Sequence, residues 1–458
     1  MNANTSIGSH PADADNMRIR AISALWLPLA VSFELMMLEG PVIQHTIAKL
    51  THPSLNLAAF GLTMSISLII ESPVIMLLAT AIALVKDDAS YRALRRFMIY
   101  VATACTVVTA IVAYTPLFSI IATRVMGQPP DIVAAAAPAL RIMLLWSAAI
   151  AWRRFYQGIL IRHGRTRLVS FGTAIRLLSA VSTSQILGRM GILSGSQVGA
   201  CALMVAVITE AVATSWFAFP IAHKHVPVRR QDQGRGLTQR QILSFHAPLA
   251  ATTLLTLLAQ PMTATALAHL AAREQTLAAW PVVFMVLLVI RGWGLAIQEI
   301  SVAYAAKPEA RSALIRFTWI VGVVSTLVTM LIVVTPLLNY YLAQIVPVPR
   351  ELRPFIRIGV SVGAVLPLIT ALGSWARGTL VAAGATSVVY KGMGINLAAH
   401  ATLLVLGVLL QSGGMLVAAV AFTLAAAIEL VYLYFEVARV TGRAIVKLPV
   451  ASYTDAVG

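Results

Sequence analysis

The chain has 458 residues, of which 59% are hydrophobic and only 11% charged, with a formal net charge of +17 and a mean hydropathy of +0.84. A soluble chain carries about a quarter charged residues, so a water-soluble globular domain is excluded. Apolar runs long enough to cross a hydrocarbon core of roughly 30 Å recur along the whole length, and the strict alternation of a membrane β-barrel is missing.

The class is an all-α polytopic membrane protein. In chain order the spans are expected at 21–43, 57–85, 97–122, 132–156, 168–188, 197–221, 242–270, 276–303, 314–345, 355–376, 386–411 and 414–438. The third and ninth each carry a Thr-Pro step near their end, Thr115-Pro116 and Thr335-Pro336. Residues 1–20 form an N-terminal tail, 21–222 a first lobe (the N-lobe), 223–241 a basic linker, 242–438 a second lobe (the C-lobe), and 439–458 a C-terminal tail. The polar first 17 residues show no cleavable signal pattern, so the first span is read as retained.

Lys and Arg gather in alternate connections, 24 on one side against 6 on the other, counting Arg153, Arg154 and Arg377 among the loop charges. Basic loops stay inside, so both termini are expected in the cytoplasm and the protein in the plasma (inner) membrane. The positive charge is split among short loops at the membrane surface, which argues against nucleic-acid binding. Cys105 and Cys201 both fall in apolar spans and make no disulfide framework. There is no phosphate-binding GxxxxGK[ST] loop and no HExxH. His223 and His225 lack a third ligand, and Asp87-Asp88 reads as a solvated turn, so neither an enzyme nor a metal site is expected.

The sequence repeats itself at an offset of 220. Pro28-Leu29-Ala30 falls on Pro248-Leu249-Ala250, Pro41 on Pro261, Arg96-Phe97 on Arg316-Phe317, and the Thr-Pro-Leu at 115–117 on that at 335–337. After a small slip, Gly158, Leu160 and Gly164 fall on Gly378, Leu380 and Gly384. A six-span unit returns the chain to its starting side. The two halves are therefore parallel, related by a pseudo-twofold along the membrane normal. This is the body plan of an alternating-access transporter, and a monomer suffices for it.

Two six-span lobes, a proline-containing first helix in each, and a linker on the basic side resemble the multidrug/oligosaccharidyl-lipid/polysaccharide (MOP) exporter superfamily, which includes the MATE exporters. The "LSFHAPLA" at 243–250, the set Gly292, Trp293, Glu299, Ile300 and Tyr304, and the "GILIRH" at 158–163 are similar to the progressive ankylosis protein family. The first helix departs from that pattern in the spacing of Glu34 and Glu39. The resemblance implies export of organic anions or pyrophosphate-containing solutes.

All seven Asp lie outside the spans, whereas Glu34, Glu39, Glu71, Glu210, Glu299 and Glu429 lie within them, as do Arg141, Arg176, Arg291 and Arg357. A charge at bilayer depth costs roughly 2.5–3.5 kcal/mol on insertion scales, so such groups face a wet cavity or one another. Arg141 and Arg357 lie near span ends and can snorkel. Glu299 and Glu429 lie near cytoplasmic ends and read as interfacial anchors.

Arg291, in "LLVIRGWGLAI", is the sharpest signal. Its offset equivalent is Glu71, so opposite charges occupy one depth in the two lobes. Either they attract across the cleft, or Arg291 grips an anionic substrate with its planar fork. Arg291, Arg176, Trp293 and Glu71 are the expected substrate-binding residues. Glu34 and Glu39 have no acidic counterpart in the second lobe and are the expected carriers of a coupling ion, H⁺ or Na⁺. Pro41 and Pro261 are the expected hinges. Three substrate readings stay open: a soluble anion, an anionic or polyprenyl-pyrophosphate-linked lipid moved by a flippase, and cationic drugs.

Overall fold

A computed structural model describes residues 11–126, 128–224, 236–305, 307, 310–345 and 349–444. Regular structure among these is entirely helical. Most of the linker and the outer parts of both tails lie outside the described residues, including His225. The tails expected at 1–20 and 439–458 are helical where described, since the first and last helices run through 11–20 and 439–444.

The N-lobe comprises α1 (Pro11–Ile47), α2 (Pro53–Ile75, resuming at Leu77–Leu84), α3 (Asp88–Tyr114), α4 (Pro130–Ile142 and Trp146–Arg162), α5 (Thr166–Met190) and α6 (Gly195–Lys224). The C-lobe comprises α7 (Gln239–Leu267), α8 (Arg273–Leu295, resuming at Ile297–Tyr304), α9 (Arg311–Val334), α10 (Arg353–Val362 and Leu366–Ala382), α11 (Thr386–Leu409) and α12 (Gly414–Ala444). Eleven of these are long and apolar enough to cross a membrane. The exception is α5, which carries Arg167, Arg176 and Arg189 among many hydroxyl residues. It nevertheless packs between α1 and α6, where its Thr173, Arg176 and Ser184 are buried.

The duplication extends to backbone irregularities. Left-handed residues recur at His52 and Ala272, Gly164 and Gly384, and Gly191 and Gln411, each 220 apart. Helix breaks recur at Met76 and Ala296, π-turns at Ile121–Val125 and Tyr341–Ile345, and 3-10 turns at Met143–Leu145 and Gly363–Val365. Features on both sides of the region where sequence matching suggested a slip hold the 220 offset, so that slip is corrected. Among the described residues the register shifts at the start of the sixth helix, where Gly195 is matched by Gly414.

Glycine in the "GILIRH" stretch is explained by packing. A Cβ on Gly158 would lie 2.5 Å from the Ala81 Cβ, and one on its counterpart Gly378 would lie 2.5 Å from the Gln298 carbonyl. Each allows α4 or α10 to cross the second half of α2 or α8 closely.

One apolar core joins the lobes only in the half nearer the basic loops. The C-lobe residues sharing a cluster with the N-lobe, such as Ile242, Ile297, Phe317 and Leu380, all belong to that half. The far half of the C-lobe builds separate clusters around Leu267, Trp280 and Ile356 and around Leu404 and Val417. Interlobe hydrogen bonds among the described residues follow the same division. Trp26 Nε1 donates to the Trp293 carbonyl at 3.0 Å, His246 reaches Thr80 at 2.8 Å and the Pro73 carbonyl at 2.7 Å, and Gln239 Nε2 donates to the Ala93 carbonyl at 2.9 Å. Beyond this closed half the lobes part. The face of α2 that carries Pro73 continues as exposed Gly61, Ser65 and Ile69, matched on α8 by exposed Pro281, Met285 and Val289.

Candidate functional site

Two polar centres sit at equivalent places in the two lobes, each around a glutamate of the sixth helix. In the N-lobe, Glu210 is fully buried. It accepts from Arg153 Nη1 at 2.7 Å, Gln157 Nε2 at 3.0 Å and Thr173 Oγ1 at 3.0 Å, with Arg176 Nη1 at 3.4 Å. Arg176 also grips Glu39 with two nitrogens, Nε at 2.9 Å and Nη2 at 2.5 Å. Four helices, α1, α4, α5 and α6, bury these groups almost completely, and every carboxylate faces a guanidinium. Such charges are tolerated at bilayer depth because each is paired and hydrogen-bonded.

In the C-lobe, Glu429 accepts from Arg377 Nη1 at 2.6 Å and Asn396 Nδ2 at 2.9 Å. Arg377 stands where the N-lobe has Gln157, Asn396 where it has Arg176, and Gly373 where it has Arg153. The shorter side chains leave space. A cavity of about 290 Å³ opens beside Glu429, walled by α7, α8, α10, α11 and α12 and bounded on the N-lobe side by Met76.

Arg291 projects into this cavity. Its Nε donates to Thr370 Oγ1 at 2.7 Å and its guanidinium lies over the Phe422 ring at 5.2 Å. Among the described residues its Nη atoms have no hydrogen-bond partner. Two arginines against one glutamate give the cavity one net positive charge, with Gln260, Gln298 and Thr256 as further polar lining. A cavity walled by five helices and holding a planar, permanently charged fork suits an anion that accepts several hydrogen bonds.

Other expected site residues are placed differently. Glu71 accepts from Trp146 Nε1 at 2.7 Å inside its own lobe, so the pair expected between Glu71 and Arg291 across the cleft is not formed. Pseudo-twofold equivalence gives the two residues one depth, but each points into its own lobe and so away from the other. Arg176, the other arginine expected at the substrate, is buried and held by Glu39 and Glu210. Trp293 packs on Trp26, ring centroids 5.7 Å apart, as part of the interlobe seal. Pro41 and Pro261 lie within α1 and α7, which continue through both prolines.

The two coupling candidates separate. Glu39 is neutralised by Arg176. Glu34, at the upper limit of the closed half, faces Gly292 of the other lobe, where any Cβ would collide with its carboxylate. Its Oε1 is buried with no hydrogen-bond partner.

Three further groups escaped the sequence reading. Arg153 and Arg154 are not loop charges: α4 runs on to Arg162, which places Arg153 roughly 13 Å inside the helix end. Arg377 likewise lies within α10. Glu299 is buried at the lobe interface, not anchored in the headgroups. It shares a void of about 20 Å³ with Arg154 of the opposite lobe, and Arg154 Nε and Glu299 Oε2 both lack partners. Such a void holds about one water. No group of three or more His, Cys, Asp or Glu able to hold a metal ion occurs among the described residues.

No known family model matches the chain, and no curated protein matches its sequence. Among solved structures, a MOP superfamily transporter from Pyrococcus furiosus superposes with a TM-score of 0.74 at 15% identity, over 93% of this chain and 97% of that one. That protein's binding pocket is described as having reverse polarity, suggesting a different function. An outward-facing multidrug resistance MATE family transporter of the MOP superfamily gives 0.72 at 16% identity over 93% and 96%. A variant of the Vibrio cholerae MATE transporter VcmN gives 0.71 at 15% over 95% and 99%. The chain has the fold of MOP superfamily MATE transporters.

Proposed function

We propose that the chain is a secondary active, alternating-access exporter of an organic anion or a phosphate- or pyrophosphate-containing solute. It works in the plasma membrane with both termini cytoplasmic. The observation that carries the reading is the C-lobe cavity, where Arg291 and Arg377 outnumber Glu429 and the Arg291 Nη atoms are free to bind. Its volume suits a solute or headgroup of modest size. The positive excess disfavours a cationic drug. The MATE-type fold supports rocking of two lobes about their interface, and the closed half of this conformation lies on the basic-loop side.

Glu34 is the residue we assign to ion coupling. An unpartnered ionised carboxylate against a neighbouring lobe is costly, and a proton or Na⁺ neutralises it. Rocking that separates α1 from α8 exposes Glu34 to the cleft, where the ion can leave. Loading and release are thereby tied to which half is closed.

The test is efflux from proteoliposomes across a panel of anions, cations and anionic lipids, with pH and Na⁺ gradients imposed separately. Gradient-driven movement of an anion, with an apparent affinity weakened by Arg291→Ala, is expected. Transport of cations alone, unaffected by that substitution, would overturn the assignment.

A further inference from the structure

The outer face of the C-lobe carries a groove of about 740 Å³ between α9, α10 and α12. Its walls are apolar and aromatic; Trp319 and Phe435 are 48% and 68% exposed. Arg311, Ser312 and Thr441 stand at the end nearer the basic loops. The N-lobe has a counterpart of about 890 Å³ between α4 and α6. Trp152 and Leu372, Val212 and Val431, and Trp216 and Phe435 are equivalent positions of the two grooves.

The grooves differ in their polar groups. In the N-lobe, Trp152 Nε1 donates to Ser215 Oγ at 2.7 Å, so the half-buried indole is satisfied and only the exposed Trp216 N–H makes no hydrogen bond among the described residues. In the C-lobe, Tyr434 replaces Ser215, and the satisfied pair is gone. The indole N–H groups of Trp319 and Trp375 make no hydrogen bond among the described residues. The Thr379 hydroxyl, on a residue only 8% exposed, is also without a partner. Arg311 donates through Nε to the Ala305 carbonyl at 3.2 Å, and its Nη atoms are unpaired among the described residues. A groove that faces lipid, with unpaired donors along its wall and an arginine with free Nη atoms at one end, calls for an amphiphile with acceptors at that end.

We propose that this groove binds one anionic phospholipid of the leaflet on the basic-loop side, its phosphate on Arg311 and an acyl chain along the aromatic wall. A guanidinium binds a phosphate through two parallel hydrogen bonds. Basic pockets between helices near that surface select anionic headgroups. Tryptophan presents an apolar body to the chain and a donor to the headgroup.

The experiment titrates the purified full-length protein in mild detergent with dioleoyl phosphatidylglycerol or dioleoyl phosphatidylcholine and reads retained lipid by native mass spectrometry. One phosphatidylglycerol per chain is expected to be held at least ten-fold more tightly than phosphatidylcholine. Arg311→Ala should abolish that preference, and Trp216→Ala in the N-lobe groove should leave it unchanged. Equal retention of both lipids by the wild type, or undiminished preference in Arg311→Ala, overturns the proposal. Should Arg311→Ala fail to fold, a diazirine-bearing phosphatidylglycerol decides on the wild type alone. Cross-links within 311–319 and 430–441 support the site, and labelling confined to other helices refutes it.

Discussion

Glu210→Gln and Glu429→Gln are the same chemical change at equivalent positions, yet the structure gives them different costs. Glu210 and its partner Arg153 have side-chain exposures of 0% and 2%. Losing the carboxylate leaves Arg153 buried and unpaired, and Arg176 with Glu39 alone. Removing one partner of such a pair costs about 3–5 kcal/mol. Glu429 and Arg377 have exposures of 5% and 17% and border the cavity, where water can replace the lost acceptor. A hydrogen bond to a charged group in that setting is worth about 1.5–3 kcal/mol. Unfolding of the detergent-solubilised protein in increasing SDS, followed by tryptophan fluorescence, should rank Glu210→Gln well below Glu429→Gln. Adding Arg153→Met to Glu210→Gln removes the stranded charge and should recover part of the loss. Equal losses, or the reverse order, would refute the view that the N-lobe centre is a closed structural lattice and the C-lobe centre a wet site.

The same contacts fix three further outcomes. Arg291→Ala should raise the KM for the transported anion about ten-fold or more, Arg291→Lys should restore it only in part, and Glu71→Ala should add its own effect independently, since the two side chains do not meet; strong coupling between them in a double-mutant cycle would contradict this geometry. Glu34→Gln should abolish gradient-driven transport while sparing counterflow exchange, whereas Glu39→Gln should lower stability by about 3 kcal/mol by leaving the buried Arg176 with only its longer contact to Glu210, which Arg153 already shares; intact driven transport in Glu34→Gln removes that residue from coupling. Gly158→Ala and Gly378→Ala should each destabilise by about 1–3 kcal/mol in the same unfolding assay, because the added carbon overlaps α2 or α8, and wild-type stability in both would show that those crossings are looser than described.

Helix number, the six-plus-six duplication and the odd placement of Arg291 were legible because each is written in hydropathy or in a fixed offset. The polar centres were not. Glu210 and Glu429 are equivalent, but the sixth helix of the N-lobe starts one residue later in register, so a strict offset of 220 steps past the match. Arg153 and Arg154 stand close to a cluster of exposed arginines around the turn from α4 to α5, Arg162, Arg165 and Arg167, and only the length of α4 shows that they are buried. A charge's partner depends on helix azimuth as well as depth. Sequence fixes depth through the span, but azimuth is set by which neighbours each helix packs against. That is why Glu71 and Arg291 share a depth and still do not pair.

The two lobes are one design with opposite fillings. At each sixth helix a glutamate must be neutralised in a low-dielectric setting. The N-lobe does so with two long arginines, one of them fully buried, and the space around Glu210 is occupied. The C-lobe does so with one arginine and an asparagine, keeps a glycine where Arg153 would stand, and retains a cavity into which Arg291 projects. Restoring bulk at Gly373 therefore tests whether emptiness is the functional property. Gly373→Leu adds volume beside Arg377 without removing any charged group; the nearest atom to a new Cβ is the Arg377 Nη2 at 3.4 Å, the end of a flexible side chain. The fold should survive at a cost of about 1–3 kcal/mol, while anion transport falls by at least ten-fold. A variant that folds, fills the cavity and still transports at the wild-type rate would move the substrate path out of the C-lobe and into the cleft between the exposed faces of α2 and α8.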